Sequence, residues 1–281
     1  MADSTRGNER GSYKYVVCLC CFAGLGGLTF GYGTAVVSGA MLQIKYQYDL
    51  STIWHEAIVS VTLGAAAMAS ACSGVLTDRF GRRPVIILSS ALFTVGSVVL
   101  AITRGDGKLM LLSGRLISGL GIGCSTMVVP LYMAEVSPAA IRGTLLTLYA
   151  LFVTSGILIS SVVAGLFSSD EDNGWRYMFG IGGVPSLLQF IAFFFLPETP
   201  SWLVSHGKLE EAKTTLNKIR RSQNNELEFD ELKEGALDSN NEEGFWRTLG
   251  KMLRSAPVRK ALFLGCILQV YQQFCGINTV M

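Results

Sequence analysis

Seven stretches of the chain run without charge or nearly so: Tyr15–Ile44, Ala57–Thr77, Pro84–Thr103, Leu109–Ala134, Gly143–Ser169, Tyr177–Pro197 and Ala261–Met281. A helix rises about 1.5 Å per residue and the bilayer hydrocarbon is about 30 Å thick, so about 20 apolar residues suffice to cross it. Lipid offers backbone amides no hydrogen-bonding partner, so each crossing segment must close its bonds internally, which selects helices. The chain therefore reads as an all-α polytopic membrane protein.

Composition agrees: half of the 281 residues are hydrophobic and only 16% are charged, too little polar surface for a soluble domain of this size. The net charge of +2 is too small to suggest a dense basic face, and no nucleic-acid partner is expected. The first fifteen residues are polar, and the apolar run after them is too long for a signal peptide, so it reads as a retained signal anchor. All seven cysteines, Cys18, Cys20, Cys21, Cys72, Cys124, Cys266 and Cys275, sit inside apolar stretches, where they act as small hydrophobes and not as disulfide partners. His55 and His206, the only histidines, lack metal-ligand spacing from a cysteine pair, so no metal site and no cofactor are expected. They also cannot assemble a nucleophile with its base and orienting partner, which argues against an enzyme.

The positive charges set an orientation. With the N-terminus in the cytoplasm, 18 of the 23 Lys and Arg residues fall inside, four outside (Lys45, Arg104, Lys108, Arg176), and Arg115 lies within the membrane. The expected organisation is a cytoplasmic tail over 1–14, a six-helix bundle over 15–196, a cytoplasmic loop over 197–260 and the start of a seventh helix over 261–281. In the loop, Leu209, Ala212, Leu216 and Ile219 recur at helical spacing, predicting an amphipathic helix against the membrane domain or the bilayer surface. A second such helix is expected over Phe245–Leu253, and the acidic run Asn224–Glu243 reads as a solvated, mobile linker. Because Met281 falls inside an apolar run, a truncated product is the expectation.

Several motifs carry more than topology. Gly74-Val-Leu-Thr-Asp78-Arg79-Phe80-Gly81-Arg82-Arg83 fills the short loop after the second stretch. Gly81 permits a turn that other residues resist, and Asp78 with the arginines offers partners to helix ends. The fourth stretch reads Gly114-Arg115-Leu-Ile-Ser-Gly119-Leu-Gly121-Ile-Gly123, then Pro130-Leu-Tyr132-Met-Ala-Glu135, followed after a turn by Arg142-Gly143. Pro197-Glu198-Thr199-Pro200-Ser201-Trp202-Leu203 follows the sixth stretch, and the seventh contains Gln272-Gln273-Phe-Cys-Gly276-Ile-Asn278. Taken in this order, these motifs resemble the sugar porter family of the major facilitator superfamily, over about Val16 to Met281, and within it the proton myo-inositol cotransporters most. The resemblance implies a six-helix bundle plus a seventh helix with cytoplasmic amphipathic helices between. It implies a small-molecule sugar or polyol substrate, contacted by Gln272, Gln273 and Asn278. It also implies a cytoplasmic salt-bridge set of Asp78, Arg79, Arg83, Glu135, Arg142 and Glu198.

Physical chemistry supports some of these roles. Polyol hydroxyls both donate and accept, which suits amide side chains, and Gln272 and Gln273 lie ~18 Å along their helix from Ala261, near the midplane. Arg115 costs about 2.5–3.5 kcal/mol at a helix centre on insertion scales, so it should face a cavity or snorkel to the outer surface. In proton-coupled relatives, the resemblance places an aspartate beside that arginine in a Gly-Tyr-Asp run. This chain has Phe30-Gly31-Tyr32-Gly33, and Tyr15–Ile44 contains no Asp or Glu. Glycine cannot titrate, so protons are a doubtful partner and a facilitator is expected. Where relatives carry a substrate-binding Gln on the fifth helix stands Ala150, and Ser201 replaces an expected Arg.

The leading expectation is thus a multi-pass carrier of the plasma membrane, working by alternating access on myo-inositol or a hexose. The competing expectation is a truncated, non-transporting membrane interaction or regulatory protein. Small-residue pairs Gly27/Gly31 and Gly119/Gly123 read as close helix packing.

Overall fold

The computed structural model describes residues 2–103, 107–170, 172–220, 226–240 and 254–274. Among the described residues there are ten helices: α1 (Ala2–Gln47), α2 (Thr52–Phe80), α3 (Arg82–Ala101), α4 (Lys108–Val136), α5 (Arg142–Leu166), α6 (Gly174–Phe193), α7 (Pro200–Ser205), α8 (Leu209–Arg220), α9 (Glu226–Asn240) and α10 (Ala256–Phe274). They fall into two compact units, Met1–Asn225 and Glu226–Met281.

Among the described residues, five helical segments are long and apolar enough to cross a bilayer: Tyr13–Gln47, Thr52–Phe80, Arg82–Ala101, Lys108–Val136 and Arg142–Leu166. α6 occupies the sixth expected stretch but is not among them, because Arg176, Gln189, Pro185 and its glycines dilute its hydropathy. Its glutamine is nonetheless turned inward, and Gln189 donates to the Ala23 carbonyl of α1 at 3.1 Å. α10 is likewise helical where the seventh stretch was expected, and it too is not among the five.

In the first unit α4 packs on α2 and α3, while α1 packs on α5, α6 and α4. Small residues let these backbones approach closely. A Cβ at Gly119 would stand 2.6 Å from the Thr62 carbonyl oxygen of α2, and a Cβ at Gly123 would strike the Ala66 carbonyl one turn on. Gly31 and Gly156 do the same between α1 and α5, against Val153 and Leu28. Packing and interhelical hydrogen bonds must hold such a bundle, since lipid tails are as apolar as leucine.

After α6 the chain folds back. α8 buries Ala212, Leu216 and Ile219 on one face, and Ile219 joins the apolar cluster around Val16, Val136 and Phe193. Arg220 donates to the Val136 carbonyl at 2.8 Å, so the amphipathic helix lies on the bundle itself. Residues 226–240 form α9 where the acidic composition suggested a mobile linker. Glu226 and Glu228 complement the positive end of its dipole, and Glu, Leu and Lys are strong helix formers. The helix expected over Phe245–Leu253 lies outside the described residues.

Candidate functional site

The α2–α3 turn collects most of the charged motif residues. α2 stops because Gly81 adopts φ +102°, a left-handed conformation that disfavours any side chain. A Cβ there would also collide with the Glu198 carboxylate. Relieved of that obstacle, Glu198 takes the backbone N–H groups of Arg82, Arg83 and Thr199 at 3.1, 3.1 and 2.9 Å. A carboxylate thus caps the start of α3, where the helix dipole is positive. Burial pushes the Glu198 carboxyl up from its ordinary value, opposed by those three N–H groups and the Arg82 charge.

Beside it, Arg82 reaches Glu135 of α4 through Nη2 at 2.9 Å and Nε at 3.1 Å. Both side chains are largely buried, at 12% and 14% exposure, so this pair is poorly screened. Asp78, 77% exposed, meets Arg82 at 3.5 Å and adds little. Arg83 donates to the carbonyls of Phe193 and Phe194 at 2.9 and 2.6 Å, placing a cation on the negative end of α6. The Trp202 indole donates to the Asp78 carbonyl at 2.9 Å and the Tyr132 hydroxyl to the Pro197 carbonyl at 3.0 Å. α2, α3, α4, α6 and α7 are thereby tied at one end.

Of the expected salt-bridge set, Asp78, Arg83, Glu135 and Glu198 converge here. Arg79 does not join them: it is exposed, with its guanidinium 5.6 Å from the Phe80 ring centroid. Arg142 is exposed at the start of α5 and forms no ion pair among the described residues. Arg82, part of the motif but not of that expected set, holds the centre. Its i,i+4 spacing from Asp78 was the available signal.

Arg115 lies deep inside the first unit, 3% exposed, so it faces a cavity and does not snorkel. The cavity is lined by Tyr32, Gly33, Phe93, Ser97, Arg115 and Phe179, among others, and leaves about 10 Å³ of free space. The guanidinium carbon sits 5.5 Å from the centroid of the Phe179 ring, and Nε has no hydrogen-bond partner among the described residues. No described carboxylate lies within 4 Å of it. A desolvated cation–π contact returns about 2 kcal/mol, whereas burying an ion costs several kcal/mol, so the charge is under-compensated. A Cβ at Gly33 would meet the Phe93 ring at 3.0 Å and Ile122 at 3.1 Å, so these side chains occupy the space a larger residue would need.

A second cavity of about 10 Å³ is lined by Gly26, Thr29, Ser89, Ser90, Ser125 and Gln189, with neighbours. Gln189 escaped sequence reasoning, although a lone amide in an uncharged run was a usable signal. Both cavities hold on the order of one water, far short of the ~300–1,000 Å³ of a small-molecule pocket. Gln272 is exposed on α10, while the Gln273 side chain and Asn278 lie outside the described residues.

The opposite end of the bundle is tied without ion pairs among the described residues. Trp175 Nε1 donates to Gln47 Oε1 at 2.6 Å, and Gln43 Nε2 to the Phe167 carbonyl at 2.9 Å. Arg176 donates to the Thr103 carbonyl at 3.0 Å and lies 4.6 Å from the Trp175 ring centroid.

A bundle of long apolar helices with polar groups turned inward and a charged tie at one end defines a polytopic helical membrane protein. The profile of the sugar (and other) transporter family matches residues 19–281, and the chain belongs to that family. It is 46% identical over 275 residues to a human proton myo-inositol cotransporter, covering 98% of this chain and 42% of that protein. A probable inositol transporter 2 of Arabidopsis thaliana is 40% identical, with 95% and 46% covered. Among solved structures, the proton:xylose symporter XylE bound to 6-bromo-6-deoxy-D-glucose superposes with TM-score 0.78 at 28% identity, covering 96% of this chain and 61% of that one. The chain spans less than half the length of the first curated relatives it matches.

Proposed function

We propose that the protein serves as a transmembrane carrier for a sugar or polyol, with myo-inositol as the leading substrate, working by alternating access. The observation that carries this reading is the family membership over residues 19–281, supported by the inositol-transporter relatives. In this reading Gln272, Gln273 and Asn278 offer amide donors and acceptors to polyol hydroxyls. Asp78, Arg83, Glu135 and Glu198, organised by Arg82, form a tie whose buried charges favour discrete over graded states.

The proposed arrangement is an N-terminal tail over 1–14, a six-helix bundle over 15–196, a loop over 197–260 and the start of a second bundle over 261–281. The tail, the α2–α3 turn and the loop face the cytoplasm by the positive-inside rule, and the membrane is the plasma membrane. Gly33 provides no titratable group, so transport is passive.

Labelled myo-inositol and glucose supplied to vesicles containing the full chain test the substrate. Saturable uptake of myo-inositol that unlabelled myo-inositol competes out more strongly than glucose does is the expected result. Uptake no greater than in empty vesicles would count against a carrier.

A further inference from the structure

We propose that the cavity beside Arg115 binds a small monovalent anion, chloride, as the counter-charge of that arginine. Four observations converge on it. Arg115 is 3% exposed, and no described carboxylate comes within 4 Å of its guanidinium. Its Nε makes no hydrogen bond among the described residues, and the aromatic face of Phe179 at 5.5 Å offsets only part of the charge.

The cavity holds about 10 Å³ of free space, room for a ligand on the scale of one water. That size excludes sugars, carboxylic acids and oxyanions, and the sign of the arginine excludes metal cations. Water fits but carries no charge, whereas a monatomic halide is nearer to water in size than any oxyanion or carboxylate and neutralises the site.

The lining also supplies a second donor. Tyr32 and Ser118 already give their hydroxyl protons to the carbonyls of Met178 and Gly114, at 2.6 and 2.8 Å. Ser97 is buried in the same wall, and its hydroxyl is the donor the proposal turns toward the anion. Gly33 contributes backbone and no competing negative charge. Arg115 and Ser97, which line the same cavity, are the two donors the proposal assigns to the ion.

The experiment uses the purified full chain in detergent, in gluconate buffer, titrated with radiolabelled chloride without any sugar. Saturable binding of about one chloride per chain is expected, because the cavity admits one ion. The melting temperature rises by about 3 °C when chloride reaches ten times its Kd. Gluconate, too large for the cavity, gives no rise. Arg115→Gln abolishes binding and the chloride-dependent shift together. Ser97→Ala, a milder change, keeps the melting temperature in gluconate and weakens chloride binding several-fold. Should Arg115→Gln fail to fold, the wild-type ion series and Ser97→Ala still decide. Absence of saturable chloride binding, or binding unaffected by both substitutions, overturns the proposal. Because no substrate enters the assay, either result leaves the transport reading untouched.

Discussion

The two ends of the six-helix bundle are fastened by different chemistry. At the α2–α3 end a buried Arg82–Glu135 pair and the backbone-captured carboxylate of Glu198 draw α3, α4 and α6 together. At the other end the links among the described residues are neutral amide and indole hydrogen bonds, with Arg176 donating there to uncharged acceptors such as the Thr103 carbonyl. Removing one member of a buried ion pair strands a charge and costs about 3–5 kcal/mol, while losing a neutral hydrogen bond costs about 1 kcal/mol. The charged end is accordingly all-or-none, and the neutral end yields by increments.

The largest expected effect separates the two ends. Glu135→Gln leaves the buried Arg82 with only the exposed Asp78 and the backbone-bound Glu198 as nearby negative charges, and should destabilise the purified chain by about 3 kcal/mol in thermal unfolding. Replacing both partners, as Arg82→Met with Glu135→Leu, should recover most of that loss; a double variant as unstable as the single one would break the contrast.

Next in size is the turn between α2 and α3. Gly81→Ala forces a side chain into φ +102° and against Glu198, costing about 1–3 kcal/mol. Adding Glu198→Ala removes the collision but not the strained φ, so a double-mutant cycle should show a coupling of the two sites. Strict additivity would show that the contact does not exist in solution.

At the neutral end Trp175→Phe deletes the indole N–H that reaches Gln47 and keeps much of the packing. About 1 kcal/mol is expected from the same unfolding measurement. A loss equal to that of Glu135→Gln would erase the distinction between the ends.

The smallest effect is a pH dependence. The folded Glu198 carboxyl holds its proton to higher pH than an unfolded one, so the folded state binds more protons between the two values. Stability is therefore greatest below the unfolded value and declines as pH rises through the folded value. Melting curves should show a slight stabilisation on acidification through that window, and Glu198→Gln should flatten it.

Much of the architecture was legible because lipid allows so few solutions: uncharged runs of about 20 residues had to be helices, and α1 to α6 and α10 lie within them or overlap them. The Ala212, Leu216 and Ile219 stripe likewise announced the buried face of α8. Residues 226–240 misled, since acidic composition signals solvation but not whether glutamates and leucines wind into a helix. Within the charged motif, residue types pointed to a tie, yet which of Arg79, Arg82 and Arg83 meets Glu135 depends on how the chain leaves the Gly81 turn. Adjacent arginines in a sequence carry no mark of that direction. The packing of Phe93 and Ile122 against Gly33 is equally a tertiary fact, invisible until α1, α3 and α4 are brought together.

The proposed carrier is tested most directly by counterflow. Vesicles containing the full chain and loaded with unlabelled myo-inositol are placed in labelled myo-inositol, at equal and at opposed pH across the membrane. The account predicts transient accumulation of label at the same rate under both conditions, because no carboxylate at position 33 can link the substrate to a proton. Accumulation driven by an inward proton gradient, or exchange no faster than in protein-free vesicles, would contradict it.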